Sequence, residues 1–264
     1  MLRQRVITAL ILGAVVLLGI FLLPATAIML VVAALILAGA WEWSAFLKVR
    51  GVAARAAFLL LVAAGITAMG WIGTASPRLD DVMLGTAVWW LIALLWVTLL
   101  PTVINPGSAA LAGILVLLPT WLALVCLHAL SPQLLLFVLL LVVAADVGAY
   151  FAGRAFGKHK LAPHVSPGKT WEGVAGGCTG AMLLGIAGSS WFDFSMAPFL
   201  ALCAAVFVAS VVGDLTESMF KRHAGLKDSG SLLPGHGGVM DRIDSVTAAA
   251  PVFLLGLQHL GWWR

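Results

Sequence analysis

Residues 82–145 read VMLGTAVWWLIALLWVTLLPTVINPGSAALAGILVLLPTWLALVCLHALSPQLLLFVLLLVVAA, without one Asp, Glu, Lys or Arg. An α-helix needs about 20 apolar residues to cross the hydrocarbon core of a bilayer, so this stretch holds two or three crossings. Residues 6–41 are likewise uncharged. Across the 264 residues, 62% are hydrophobic and 10% charged, whereas a soluble domain carries about a quarter charged residues. The composition therefore predicts an all-α, polytopic bundle of membrane helices.

Working outward, apolar runs and their breakers predict about nine helices, at 6–23, 25–46, 56–74, 82–101, 108–128, 132–153, 172–190, 196–219 and 245–262. Pro24, Ser76-Pro77, Asn105-Pro106-Gly107 and Ser131-Pro132 are the turn signals between them. Arg3 and Arg5 ahead of an apolar run, with Ala25-Thr26-Ala27 beyond it, resemble a signal peptide. The length of 6–23 favours an uncleaved first helix instead. Trp41, Trp43, Trp71, Trp191, Trp262 and Trp263 fall near helix ends, where interfacial anchoring accounts for them. His128 and His259 read the same way, and Trp89, Trp90 and Trp96 as lipid-facing or packing residues.

Charge placement tests the count. With a cytoplasmic N-terminus and nine alternating helices, thirteen of the fifteen basic residues fall on the cytoplasmic side, and Arg78 and Arg264 fall outside. One helix more or fewer upstream breaks that bias. The net charge of +4 thus has a topological explanation, and nucleic acid is not an expected partner. Cys126, Cys178 and Cys203 are far apart in apolar surroundings and form neither a metal-ligand pattern nor a disulfide framework. We read the chain as one membrane domain, 1–264. Its N-terminal helices, 1–143, carry few polar residues, and 144–264 is the catalytic half.

Chemistry concentrates in two polar connections near 154–171 and 220–244. From Ser218 to Asp244 the chain reads SMFKRHAGLKDSGSLLPGHGGVMDRID. Lys221, Arg222 and Lys227 are cations able to hold phosphates. Pro234-Gly235-His236-Gly237-Gly238 is a loop whose glycines let backbone N–H groups approach an anion. Asp241 and Asp244, three apart at a helix start, suit Mg²⁺, which takes hard oxygen ligands and brings phosphates with it. Asp214 and Glu217 end the eighth helix. Asp146 lies inside an apolar span, where an acid is costly and marks function. Ser166-Pro-Gly-Lys169-Thr-Trp-Glu172-Gly173 adds a further cation and carboxylate. Taken singly, each group has a plainer explanation: Lys221 and Arg222 as topology anchors, the aspartates as helix N-terminal charges, His236 as a loop residue, and His159 and His164 as members of a basic loop. Their co-occurrence in a charge-poor chain is what points to a site.

The segment 218–244 resembles the signature of the phosphatidate cytidylyltransferase (CDP-diacylglycerol synthase) family. Ser218, Lys221, Arg222, Lys227, Asp228, Pro234, Gly235, His236, Gly237, Gly238, Asp241, Arg242 and Asp244 meet every fixed position. The element at 166–173 and the pattern Asp146, Tyr150, Gly153, Phe156-Gly157 are also similar to the family, so the resemblance covers roughly 144–245. The charge bias predicts a cytoplasmic N-terminus and site and an external C-terminus in the inner membrane, and the resemblance implies an α-helical membrane enzyme. The reaction implied is CTP plus phosphatidate giving CDP-diacylglycerol and pyrophosphate. Mg²⁺ is the implied cofactor, with allowance for a second, monovalent cation such as K⁺, and a homodimer the implied assembly. On this reading Asp214, Asp241, Asp244 and Asp146 hold metal, and Lys169, Lys227, Asp228 and His236 are catalytic. Ser218, Lys221, Arg222, Gly235, Gly237, Gly238 and Arg242 bind substrate. The alternatives are a CDP-alcohol phosphatidyltransferase-like enzyme, whose Asp-Gly-x-x-Ala-Arg signature is absent, and a transporter, which rarely needs such a polar loop.

Overall fold

The computed structural model describes residues 13–49, 51–71, 78–232 and 237–262. Its helices are α1 (Gly13–Leu22), α2 (Ala25–Trp43), α3 (Val52–Gly70), α4 (Arg78–Leu99), α5 (Pro106–Leu130), α6 (Pro132–Phe156), α7 (Trp171–Phe192), α8 (Met196–Ala224) and α9 (Met240–His259). Among the described residues, α2, α3, α4, α5, α6 and α8 are long and apolar enough to cross a membrane. This is a polytopic helical membrane protein. Helix α7 falls short of that measure because six glycines dilute it, and α9 because it opens on Asp241, Arg242 and Asp244.

Helix α5 forms the axis, packed by α2, α3, α4, α6 and α9. Asn105 and Ser108 start it with a reciprocal capping box (Ser108 N to Asn105 Oδ1, 2.9 Å; Asn105 N to Ser108 Oγ, 3.0 Å), and Pro106 takes the first helical position. Pro251 inside α9 has no N–H to give the Thr247 carbonyl. The Thr120 hydroxyl of α5 lies 3.0 Å from that oxygen and 2.6 Å from the Val116 carbonyl of its own helix, so its one proton is shared between them.

The closest packing joins α6 to α7. Gly148, Gly176 and Gly180 are places where a Cβ would meet the opposing backbone: Gly148 against the Gly176 carbonyl, Gly176 against that of Gly148, Gly180 against that of Ala144. Small residues let helices approach this closely in a membrane, where packing and not water drives association.

Several expectations need correction. The polar connection at 154–171 folds partly as a two-stranded antiparallel hairpin, β1 (Lys160–Ala162) with β2 (Ser166–Thr170). Helix α8 continues past 219 to Ala224. Lys221, Arg222 and His223 sit favourably against the negative helix end, and Gly225 stops it at φ 74°. Helix α9 begins at Met240, five residues before the apolar run. Trp43 is not an interfacial anchor: it is 1% exposed and donates to the Ala109 carbonyl at 2.9 Å. His128 is buried, with Nε2 3.0 Å from the Ile20 carbonyl. Trp89 and Trp90 take the packing role of their two expected ones, in the core.

Candidate active site

Three polar connections meet at one end of the bundle. The turn after α2, the β1–β2 hairpin and the segment between α8 and α9 are joined there by contacts from Glu42 to Val239 and from Arg222 to Val165. Between α6, β2, α7 and α8 a cavity of about 420 Å³ opens at this end, lined by Asp146, Tyr150, Arg154, Lys169, Asp214 and Ser245 among others.

Lys169 reaches into it from β2. Its Nζ lies 2.6 Å from Asp214 Oδ2, and both side chains are half-buried. Ser218, one turn after Asp214, donates to Asp214 Oδ1 at 3.3 Å. Asp146 of α6 faces the same Asp214 and Lys169. From α9, Asp244 faces Asp214 and Glu217. Four carboxylates from three helices therefore share one region with two lysines.

Asp241 is set apart from Asp244. Its Oδ1 pairs with Lys221 Nζ at 2.7 Å, and its Oδ2 accepts the backbone N–H groups of Ser229 and Gly238, each at 2.9 Å. Lys221 also lies 3.5 Å from Glu217 Oε2. The Gly238 N–H is thus engaged within the protein. Gly237 takes φ 81°, where a side chain would be strained. Pro234, Gly235 and His236 lie outside the described residues.

Arg222 turns toward the hairpin, its Nε 3.2 Å from the Val165 carbonyl. Lys227 and Asp228 are exposed on the turn after α8, and Arg242 is exposed on α9. Of the expected residues, then, Asp146, Lys169 and Asp214 line the cavity, and Ser218 and Asp244 adjoin it through Asp214. Lys221 and Asp241 form a neighbouring pair, and Arg222, Lys227, Asp228 and Arg242 rim the same end.

Residues 3–260 match the family model described as "Cytidylyltransferase family". The phosphatidate cytidylyltransferase of Pseudomonas aeruginosa is 45% identical over 272 residues, covering 99% of each chain. That of Haemophilus influenzae is 40% identical over 284 residues, covering 96% of this chain and 97% of the relative. The chain belongs to the phosphatidate cytidylyltransferase family. A relative of the same name from Staphylococcus saprophyticus matches 45% of this chain at 45% identity.

Of this cytidylyltransferase site, the sequence reading names Glu217 without a role and misses Glu42. Glu217 is 2% exposed, and neither of its carboxylate oxygens has a hydrogen-bond donor among the described residues. Glu42, from α2, is 3% exposed and reaches the segment that leads into α9. Its signal was present: it is the first charge after the uncharged stretch 6–41, and an acid in such surroundings marks a site. Glu172, named with its motif, accepts the Lys158 and His159 N–H groups at 3.1 and 3.2 Å and pairs with His159 Nδ1 at 2.7 Å, anchoring the hairpin to α7.

Proposed function

We propose that this protein transfers the CMP of CTP to phosphatidate, leaving CDP-diacylglycerol in the membrane and releasing pyrophosphate. The observation that carries the reading is the cluster of Asp146, Asp214, Asp244 and Glu217 against Lys169 and Lys221, at the polar end of a membrane bundle. Such a cluster is costly in these surroundings unless cations and polyanions use it.

The nucleophile is already an anion, because a phosphate monoester has a second pKa of about 6. The site therefore needs no strong base. It must bring several negative groups together and hold charge on the transferring and leaving oxygens. Lys169 and Lys221, held in place by Asp214 and Asp241, are positioned to bind phosphate oxygens. Lys227, Arg222 and the loop about His236 supply further positive charge and donors at the rim.

The donor set fits Mg²⁺. It consists of hard carboxylate oxygens, among them those of Glu217, buried between Asp244 and Lys221. Among the described residues no three acid, His or Cys side chains form a ready cage, which suits an ion that is usually bound by one or two carboxylates together with substrate phosphates. Asp214 and Asp244 would hold it, with Asp146 and Asp241 adjoining. Bound there, Mg²⁺ neutralises charge on the phosphoryl oxygens. A second, monovalent cation, a cytoplasmic site in the inner membrane and a homodimer belong to the same proposal.

The test is incorporation of labelled CTP into chloroform-soluble lipid by the purified protein, dependent on phosphatidate and matched by pyrophosphate. Lipid labelling that needs no phosphatidate, or none at all, would overturn the proposal.

A further inference from the structure

Helix α9 starts without a cap of its own. Its N-cap residue is Val239, whose side chain accepts nothing, although the first N–H groups of a helix have no partner within it. Those donors are met from elsewhere. Glu42, at the end of α2, accepts the Val239 N–H on Oε1 at 3.0 Å and the Met240 N–H on Oε2 at 2.9 Å. Oε2 also accepts the Ser229 hydroxyl at 2.9 Å. Ser229 Oγ in turn lies 3.3 Å from the Asp241 N–H, while the Ser229 N–H donates to Asp241 Oδ2. One carboxyl group from the N-terminal half thus fixes both the residue that precedes the glycine loop and the first turn of the helix that follows it.

The fit is tight. A Cβ at Gly230 or at Gly238 would run into the Glu42 carboxyl, and a Cβ at Gly39 would lie 2.9 Å from Met240 Sδ. Gly238, which the sequence alone assigns to substrate, is therefore needed to admit Glu42. A negative group at the positive end of a helix is also favourable electrostatically.

We propose that Glu42 is a positioning residue for the transferase: from α2 it caps α9 and so sets where Asp241 meets Lys221 and where Asp244 meets Asp214 and Glu217. This rests on the function proposed above. A misplacement of about 1 Å far from the chemistry can lower turnover about 10²-fold, and Glu42 holds two backbone donors where α9 begins.

The experiment compares the wild-type chain with Glu42→Gln, Glu42→Asp and Ser229→Ala, each purified in detergent. Labelled lipid from the wild type tests the reaction itself, and the variants test Glu42. We expect Glu42→Gln to lose about 10²-fold in turnover and to need more Mg²⁺ for half-maximal rate. Its ligand-free melting temperature falls by only a few degrees, because α2 keeps its packing on α3 and α5. The stabilisation that CTP with Mg²⁺ gives to the wild type is lost. Glu42→Asp recovers part of the turnover, and Ser229→Ala, which leaves both backbone donors on Glu42, shows a smaller loss in the same direction. Unchanged turnover, Mg²⁺ demand and CTP stabilisation in Glu42→Gln would overturn the proposal. So would a large drop in melting temperature with wild-type constants in the surviving folded fraction. If Glu42→Gln does not fold, Ser229→Ala decides by the same measurements.

Discussion

Lys221 lies 2.7 Å from Asp241 Oδ1 and 3.5 Å from Glu217 Oε2, with a side chain only 10% exposed, and this arrangement separates two kinds of substitution. Lys221→Met removes the cation from between buried acids. It should destabilise the protein by about 3–5 kcal/mol, as expected when one partner of a buried pair is lost, and thermal unfolding in detergent reads this directly. Lys227 is exposed, so Lys227→Ala should leave the melting temperature unchanged while lowering turnover about 10²-fold. Wild-type turnover would return Lys227 to a role in topology. Asp214→Asn keeps the size of the side chain but removes charge next to Lys169. The expected result is a folded protein with turnover down about 10³-fold and a raised Mg²⁺ requirement, which metal titration at saturating CTP and phosphatidate measures. An unchanged requirement would shift the metal assignment to Asp146 and Asp241.

At the scale of helices, the seam between α6 and α7 is specified by absence of side chains. Gly180→Val places methyl groups against the Ala144 carbonyl. It should lower stability by about 1–3 kcal/mol through overpacking, seen as faster thermal inactivation, and a wild-type inactivation rate would show that the two helices can separate at that point without penalty. The helices themselves were legible in the sequence, because apolar runs of membrane length leave few alternatives. Their polar ends were not. Helix α8 carries Lys221 and Arg222 on its last turn and α9 carries Asp241 on its first, so hydropathy stops before the hydrogen bonding does. The hairpin at 160–170 gave no alternating pattern to read; its residues are placed by Glu172 and Thr170, which caps α7 through the Gly173 N–H at 3.1 Å. The signature at 218–244 located the site, yet spacing alone treated Asp241 and Asp244 as one pair. Only the fold shows Asp241 turned to Lys221 and Asp244 to Asp214.

For the whole molecule, the hairpin, the end of α2 and the α8–α9 segment gather at one end, and alternation of nine spans is the expectation to test. A reporter within 154–170 or 221–232 should then be cytoplasmic, and one fused after the C-terminus external. A cytoplasmic C-terminus in an active protein would contradict the alternation. The long reach of Glu42 has a consequence for synthesis. Glu42 and Val239 are 197 residues apart, and a ribosome adding about 5–20 residues per second needs roughly 10–40 s to cover that distance. Glu42 is therefore made well before the backbone groups that will donate to its carboxyl. Until α9 is made the Glu42 carboxyl lacks both of those donors, and a chain that stops short of α9 never acquires them.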